Sequence, residues 1–579
     1  MAAKESSARR GPLTLAEAAQ QSLASQVPLH LVDAQGPSAA ALVAALRQRT
    51  DRPILLVTED SDGVTQNLDD LAAFGTGLLD LPSLPNEERP PALVSYDVSE
   101  GSPYAERASD RRREMARTSA LVLFLSGARD TLVLPARALW RKCVPYSLLS
   151  QHTQSLREGA VLELDQVAAA LSVAGYARAP LVEEPGELAV RGGLLDVWPA
   201  GRGGPVRVEL DADRIVSLKD FDPETQKSQS PSGETIVPPA REMLRSPAVI
   251  ERAERMVRAL CDSVDFPTLK TRALLEDISE GRLFFGAEAL LPAYAELAAL
   301  TDMLPTSTIV VLEEPSAIVR ALRQNRERAE ADEARARDEP RFPLSSLYVD
   351  EATLVRGLSA RTLVVTHRTS MQQLSAHDGQ LEVFEGAPPD APALAAVDHQ
   401  ELKRATEQAR SQRGHEAVLD PLETELQRWA TLGYRTTLVA RTATQADRWA
   451  SLLGHRGTTA PVIDTLEARR KAARASITIA VAPLVRGARF DSEGVVLLTE
   501  EEIFGKRRHQ ERRTRRGGGL GLDDLRSLKV DDYVVHVEHG IGRYKGLEHR
   551  NVADVWLDLL VVEYLGGDKL FLPVYRLNQ

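Results

Sequence analysis

The sequence predicts a multidomain protein of α/β and α+β units that ends in a small β-barrel, and three observations carry this prediction. The chain has 579 residues, more than one hydrophobic core accommodates. Over most of its length, short apolar strands alternate with amphipathic helical segments, the rhythm of α/β sheets with crossover helices. Two stretches, 186–222 and 533–573, break that rhythm with closely spaced β-prone runs punctuated by glycine.

Taken in order, residues 14–145 hold apolar runs at 29–32, 54–57, 121–125 and 132–134, read as buried strands, with 39–49 as an amphipathic helix between the first two. A first α/β unit over 1–145 is expected. Residues 146–237 read as an α+β module inserted into it. Within that module Val206, Val208 and Leu210 alternate with Arg207 and Glu209, which suits a strand buried on one face. Helices resume after Pro238-Pro239, and apolar strands return at 309–312 and 363–365, so 238–385 is expected to complete the first unit. The proline-rich, acidic stretch 386–400 reads as a linker. A second α/β unit follows over 401–505, with strands at 437–440, 477–480 and 495–498. Residues 506–524 form a basic and glycine-rich linker, and 525–579 the terminal β unit.

Composition bounds the function. Hydrophobic residues make up 43% and charged residues 27% of the chain, with a net charge of −12, which speaks against a globally basic nucleic-acid binder. Two cysteines, Cys143 and Cys261, supply neither a disulfide framework nor a thiolate zinc site. No apolar run reaches the length of a membrane span, so no membrane partner and a cytoplasmic location are expected.

Catalytic chemistry is hard to find. A phosphate-binding loop needs glycines, a lysine and a Ser/Thr after a strand. The turn in that position, Gln35-Gly36-Pro37-Ser38, has no lysine, and its proline lacks a backbone donor; it reads as an ordinary strand-to-helix turn. Asp332-Glu333-Ala334 sits in a charged helical stretch, not at a strand end. His536 and His539, three apart on an extended strand, would point to opposite faces and not converge on a metal. No nucleophile triad or carboxylate pair stands out, so no enzyme activity and no cofactor are expected of this chain.

Three stretches carry a family resemblance. The run Gly186-Glu187-Leu188-Ala189-Val190-Arg191-Gly192-Gly193-Leu194-Leu195-Asp196-Val197-Trp198-Pro199, continuing through Val206-Arg207-Val208-Glu209 to Phe221-Asp222-Pro223, resembles the module that the excision-repair protein UvrB shares with transcription-repair coupling factors. Leu497-Leu498-Thr499-Glu500-Glu501-Glu502-Ile503-Phe504-Gly505 is similar to the end of the coupling factors' third domain. Tyr533-Val534-Val535-His536-Val537-Glu538-His539-Gly540-Ile541-Gly542-Arg543-Tyr544, closing with Lys569-Leu570-Phe571-Leu572-Pro573, is similar to the polymerase-interacting domain shared with CarD regulators. The resemblance implies a degenerate Rossmann- or P-loop-like UvrB-homology domain and an SH3- or Tudor-like terminal barrel. It further implies that the family's ATP- and Mg-dependent motor, which acts on double-stranded DNA, lies beyond residue 579.

The same resemblance implies partners and sites. UvrA is expected at Arg191, Arg207 and Glu209; on the strand, Arg207 and Glu209 share the face opposite Val208, open to a partner, and an arginine fork grips a carboxylate in two parallel bonds. Where some relatives carry an aromatic, Asp211 stands here. The β subunit of RNA polymerase is expected at Val535, Leu547, Glu548, His549 and Arg550, through an open sheet edge. The basic run offers Arg507, Arg508, Arg512 and Arg513 as DNA-phosphate contacts, against its reading as a solvated linker. The expected role is an adaptor that recruits UvrA to stalled polymerase; the alternatives are a UvrB-like ATP-dependent repair subunit and a CarD-like transcription regulator.

Overall fold

The computed structural model describes residues 11–84, 92–105, 111–282, 286–369, 381, 384, 386–505, 528–536, 539–552 and 555–573. Twelve strands form one mixed sheet. Its first half runs Leu93–Ser95, Thr131–Pro135, Ile54–Thr58, Ile309–Glu313, Thr362–Thr366, Leu29–Ala34, all parallel. The strands from after the inserted module thus sit in the middle, between two strands from before it.

The second half contains Arg435–Ala440 flanked in parallel by Ile477–Val481 and Val495–Thr499, with Val462–Ile463 at the far edge. Ala393–Val397 joins the halves: it pairs parallel with Leu29–Ala34 and its far side pairs antiparallel with Ala488–Phe490. The expected linker at 386–400 therefore contains a sheet strand. Its residues, Ala393-Leu394-Ala395-Ala396-Val397, lack the β-branched run that marks the other strands, so local propensity concealed it.

Side chains alternate cleanly along the buried strands. Leu55, Val57, Leu132, Leu134, Val310, Leu312, Leu363 and Val365 enter one core, while Ile54, Leu56, Val133, Ile309, Val311 and Val364 enter the other. That second core also holds Ala396, Val439, Ala480, Phe490, Val495 and Leu497 from the other half, under the helices Ser38–Arg47 and Ser61–Gly75. The two α/β units thus share a hydrophobic core.

The run expected as a strand at 121–125 is the last turn and a half of the helix Arg111–Leu125. Ten of its fifteen residues are buried, and a helix covered nearly all round loses the one-sided pattern that distinguishes it from a buried strand.

Residues 177–231 build a six-stranded sheet in the order Ser228–Pro231, Arg214–Phe221, Val206–Asp211, Leu194–Val197, Glu187–Arg191, Ala177–Arg178, and Gln154–Leu156 pairs separately with Thr235–Val237. The helix Leu164–Val173 lays Val167, Ala168 and Leu171 on one face, against Leu188, Leu195, Val197, Val206, Val208 and Leu218. On the opposite face Ala189 and Phe221 pack with Val182 and Trp198 in a small second cluster.

The terminal unit is a four-stranded antiparallel sheet, Tyr533–His536, Gly540–Val552, Val555–Glu563, Lys569–Pro573. Among the described residues its two outer strands do not pair with each other. The long middle strands bend at an irregularity between Tyr544 and Gly546, which curls the sheet over Val534, Tyr544, Leu560 and Val562.

Candidate docking surfaces

The turn at Gly36 is packed against the second half of the molecule. Gly36 adopts a left-handed φ of +62°, and a Cβ there would lie 2.6 Å from the carbonyl oxygen of Gly487 and 2.9 Å from the Ala488 Cβ. Ser38 begins the following helix, with its hydroxyl donating to the Gln35 carbonyl, as a strand-to-helix turn requires.

The seam beneath is polar and closed. Arg486 donates through Nε to Asp70 Oδ2 at 2.7 Å, through one terminal nitrogen to Glu313 Oε1 at 2.7 Å, and through the other to Asn67 Oδ1 at 2.9 Å. Asp70 also accepts the backbone N–H of Val485 at 2.8 Å. Burial pushes the Asp70 carboxyl up, and Arg486 draws it back. Arg469 donates to the Leu79 carbonyl at 2.6 Å and to that of Gly77. Glu493 accepts the Leu15 N–H at 2.9 Å.

On the face of the six-stranded sheet opposite the helix, Asp196 stands opposite Arg207 in register. Arg207 grips it with both ends of its fork, Nε to Oδ1 and a terminal nitrogen to Oδ2, each at 2.8 Å. Its third nitrogen donates to the Gln226 carbonyl at 3.1 Å, and its plane lies 4.7 Å over the Phe221 ring. Arg191 reaches the same carboxylate at 2.7 Å. Asp196 is 1% exposed and Arg207 13%, whereas Arg191 is 43% exposed. Arg207 is on the expected face but is not open to a partner: it is tied internally, and Arg191 is the accessible arginine. Glu209 is also engaged, accepting from Lys219 at 3.0 Å and from Ser217 at 2.5 Å, contacts that hold its carboxyl below the usual range.

Asp196 escaped the reading of the sequence. Alternation in Leu194-Leu195-Asp196-Val197 places it on the outer face, but the register that sets it against Arg207 depends on the intervening turn.

In the terminal sheet, Val535 lies on the edge strand and is exposed, as are its cross-strand partner Ile541 and the neighbouring Tyr533. Leu547 is 56% exposed. Glu548 pairs with Arg550 at 2.6 Å, and Arg550 lies 4.4 Å over the Phe571 ring. His549 is placed on the same strand, with its side chain outside the described residues. Leu559 and Val561 are buried. His536 and His539 do meet: the His539 N–H donates to His536 Nδ1 at 3.2 Å, and the rings lie 4.7 Å apart. The opposite-face expectation assumed a strand running through both.

Arg507, Arg508, Arg512 and Arg513 lie outside the described residues. Among the described residues no three His, Cys, Asp or Glu side chains are placed to share a metal ion, and no helix is long and apolar enough to cross a membrane.

Residues 155–243 match the UvrB interaction domain and residues 528–579 the CarD-like/TRCF RID domain. The chain is similar to the transcription-repair-coupling factors of Myxococcus xanthus, at 31% identity over 94% of this chain, and of Bacillus subtilis, at 24% over 95%. A third similar relative is that of Staphylococcus aureus strain MRSA252, at 25% over 95%. In each case the chain spans 44% of the relative's length.

Proposed function

Because this chain is a homologue of the transcription-repair-coupling factors that carries a UvrB interaction domain and a CarD-like/TRCF RID domain, we propose that it is an adaptor between transcription and excision repair. The terminal sheet docks on the β subunit of RNA polymerase, and the six-stranded module presents Arg191 to UvrA. The observation that carries this reading is the presence of both modules on one chain, each with exposed residues at its sheet: Tyr533 and Val535 on a strand that is unpaired on its outer side among the described residues, and Arg191 on the other.

A strand edge recruits by extending its ladder into a partner's strand, and an accessible arginine fork recruits a carboxylate. The shared core and the Arg486 seam join the two α/β units into one body for the module to be mounted on. The UvrB-like ATP-dependent alternative has the Gly487–Ala488 contact at Gly36 against it, since that contact fills the approach to the turn. ATP and Mg chemistry, and work on double-stranded DNA, belong in this proposal to the remaining length of the homologues.

Co-elution tests it. UvrA and polymerase β subunit should migrate as one complex only when this chain is added, and Leu547→Arg should release the polymerase alone. Failure of the unmodified chain to bind either protein would overturn the adaptor reading.

A further inference from the structure

The arginine pair on the sheet face has a chemistry of its own. One carboxylate, Asp196, carries two guanidiniums. Arg207 is consumed by it: two donors go to Asp196, a third to Gln226, and the ring of Phe221 covers one face. Arg191 spends one donor on Asp196. Among the described residues it makes no other hydrogen bond or ion pair, and its side chain is 43% exposed. Next to them, Lys219 and Glu209 neutralise each other. In this ladder three cations thus face two carboxylates. The unmatched positive charge sits on Arg191, the most exposed of the five.

Resting on the UvrA reading above, we propose that Asp196 is the positioning residue of this surface, and that the docking protein supplies one carboxylate to the exposed guanidinium of Arg191. Asp196 is nearly inaccessible and does not touch the partner. It acts by fixing the Arg191 fork, so that less side-chain freedom is lost on binding. Arg207 serves as its second anchor: by holding both oxygens of Asp196, it leaves the carboxylate a single orientation in which to receive Arg191. The partner group is anionic because the exposed guanidinium of Arg191 carries the unmatched positive charge, and a carboxylate accepts from the donors that Asp196 leaves free.

The test is a double-mutant cycle on the full chain, titrated with UvrA at two salt concentrations, with thermal unfolding and polymerase β binding measured alongside. Arg191→Ala should weaken UvrA binding by about tenfold or more and flatten its salt dependence. Arg191→Lys should recover less than half of that loss, since it lacks the fork. Asp196→Asn should weaken binding in the parent by several-fold, yet by less than about twofold once Arg191 is alanine, because contacting residues are not additive. Should Asp196→Asn unfold, Asp196→Glu keeps the charge, displaces the fork by one methylene and should lower UvrA affinity with polymerase binding unchanged. Equal losses from Asp196→Asn in both backgrounds, or an Asp196→Glu variant that binds like the parent, would overturn the positioning role while leaving the UvrA reading intact. No binding by the unmodified chain would remove both.

Discussion

Arg486 and Asp70 meet across the seam of the twelve-stranded sheet, the guanidinium from the second half and the carboxylate from the first, 2.7 Å apart. Asp70 is fully buried and pairs with no other cation among the described residues. Removing one partner of such a pair strands the other charge in a low-dielectric interior. Arg486→Ala should therefore lower unfolding stability by about 3–5 kcal/mol, read as a fall in the denaturant midpoint. Arg486→Ala combined with Asp70→Asn should recover part of the loss. A single-mutant loss under about 1 kcal/mol would mean that the seam is solvated in solution.

Gly36 offers a second test of the same seam. Alanine there must adopt a left-handed backbone and place its Cβ 2.6 Å from a main-chain oxygen, with no flexible side chain to move aside. Gly36→Ala should cost on the order of 2 kcal/mol or more, whereas Gly127→Ala, at φ +79° but with open space around the added methyl, should cost about 1 kcal/mol. Equal costs at the two sites would show that strain alone is at work and that the Gly487 contact is loose.

What could be read beforehand follows the physics of each segment. The buried parallel strands at 54–58, 309–313 and 495–499 announce themselves through unbroken β-branched and leucine runs. The strand at 393–397 is mostly alanine and follows three prolines, so nothing local marks it; only the two strands waiting on either side call for it. Helix 111–125 misleads for the opposite reason, being so buried that it shows no polar stripe along its last turns. At the candidate site, alternation alone sets Arg207 on the outer face of its strand, but not whether that face is vacant. Asp196 occupies it, brought there by strand register, and this long-range pairing is what single-sequence patterning does not contain.

Glu502 makes the seam sensitive to pH. It accepts the Gly487 N–H at 2.6 Å and the Thr499 N–H at 2.7 Å, yet burial, with Asp70 nearby, pushes its carboxyl up to about 7 from an ordinary 4.5. The folded state thus holds this proton more tightly than the unfolded state. The contribution is complete below about pH 4.5 and is lost as pH rises toward 7, with a slope of up to about 1.4 kcal/mol per pH unit. Glu502→Gln should remove that slope, so the stability difference between parent and variant, measured at pH 5, 6 and 7, should change with pH. A constant difference would place the carboxyl near its ordinary value.

The terminal sheet can be probed at the rim of its core, where Leu547 stands opposite the buried Leu560. Leu547 is more than half exposed, while the core beneath is built from Val534, Tyr544, Leu560 and Val562. Leu547→Arg should therefore leave the unfolding temperature within about 2 °C, since exposed substitutions rarely change stability by more than about 0.5 kcal/mol. It should nevertheless weaken polymerase β binding by about tenfold or more if Leu547 is an interface anchor. Arg550→Glu is harsher: it sets two carboxylates side by side with Glu548 and removes the contact over Phe571, so a modest stability loss should accompany any loss of binding. The two variants divide the surface, because Leu547 and Arg550 project from opposite faces of the same strand. Loss of binding in Leu547→Arg alone would place the polymerase on the Leu547 face, and loss in Arg550→Glu alone on the Phe571 face. Unchanged affinity in both would leave the exposed edge at Tyr533 and Val535 as the remaining docking strand, to be tested by Val535→Pro, which removes a backbone donor from that edge.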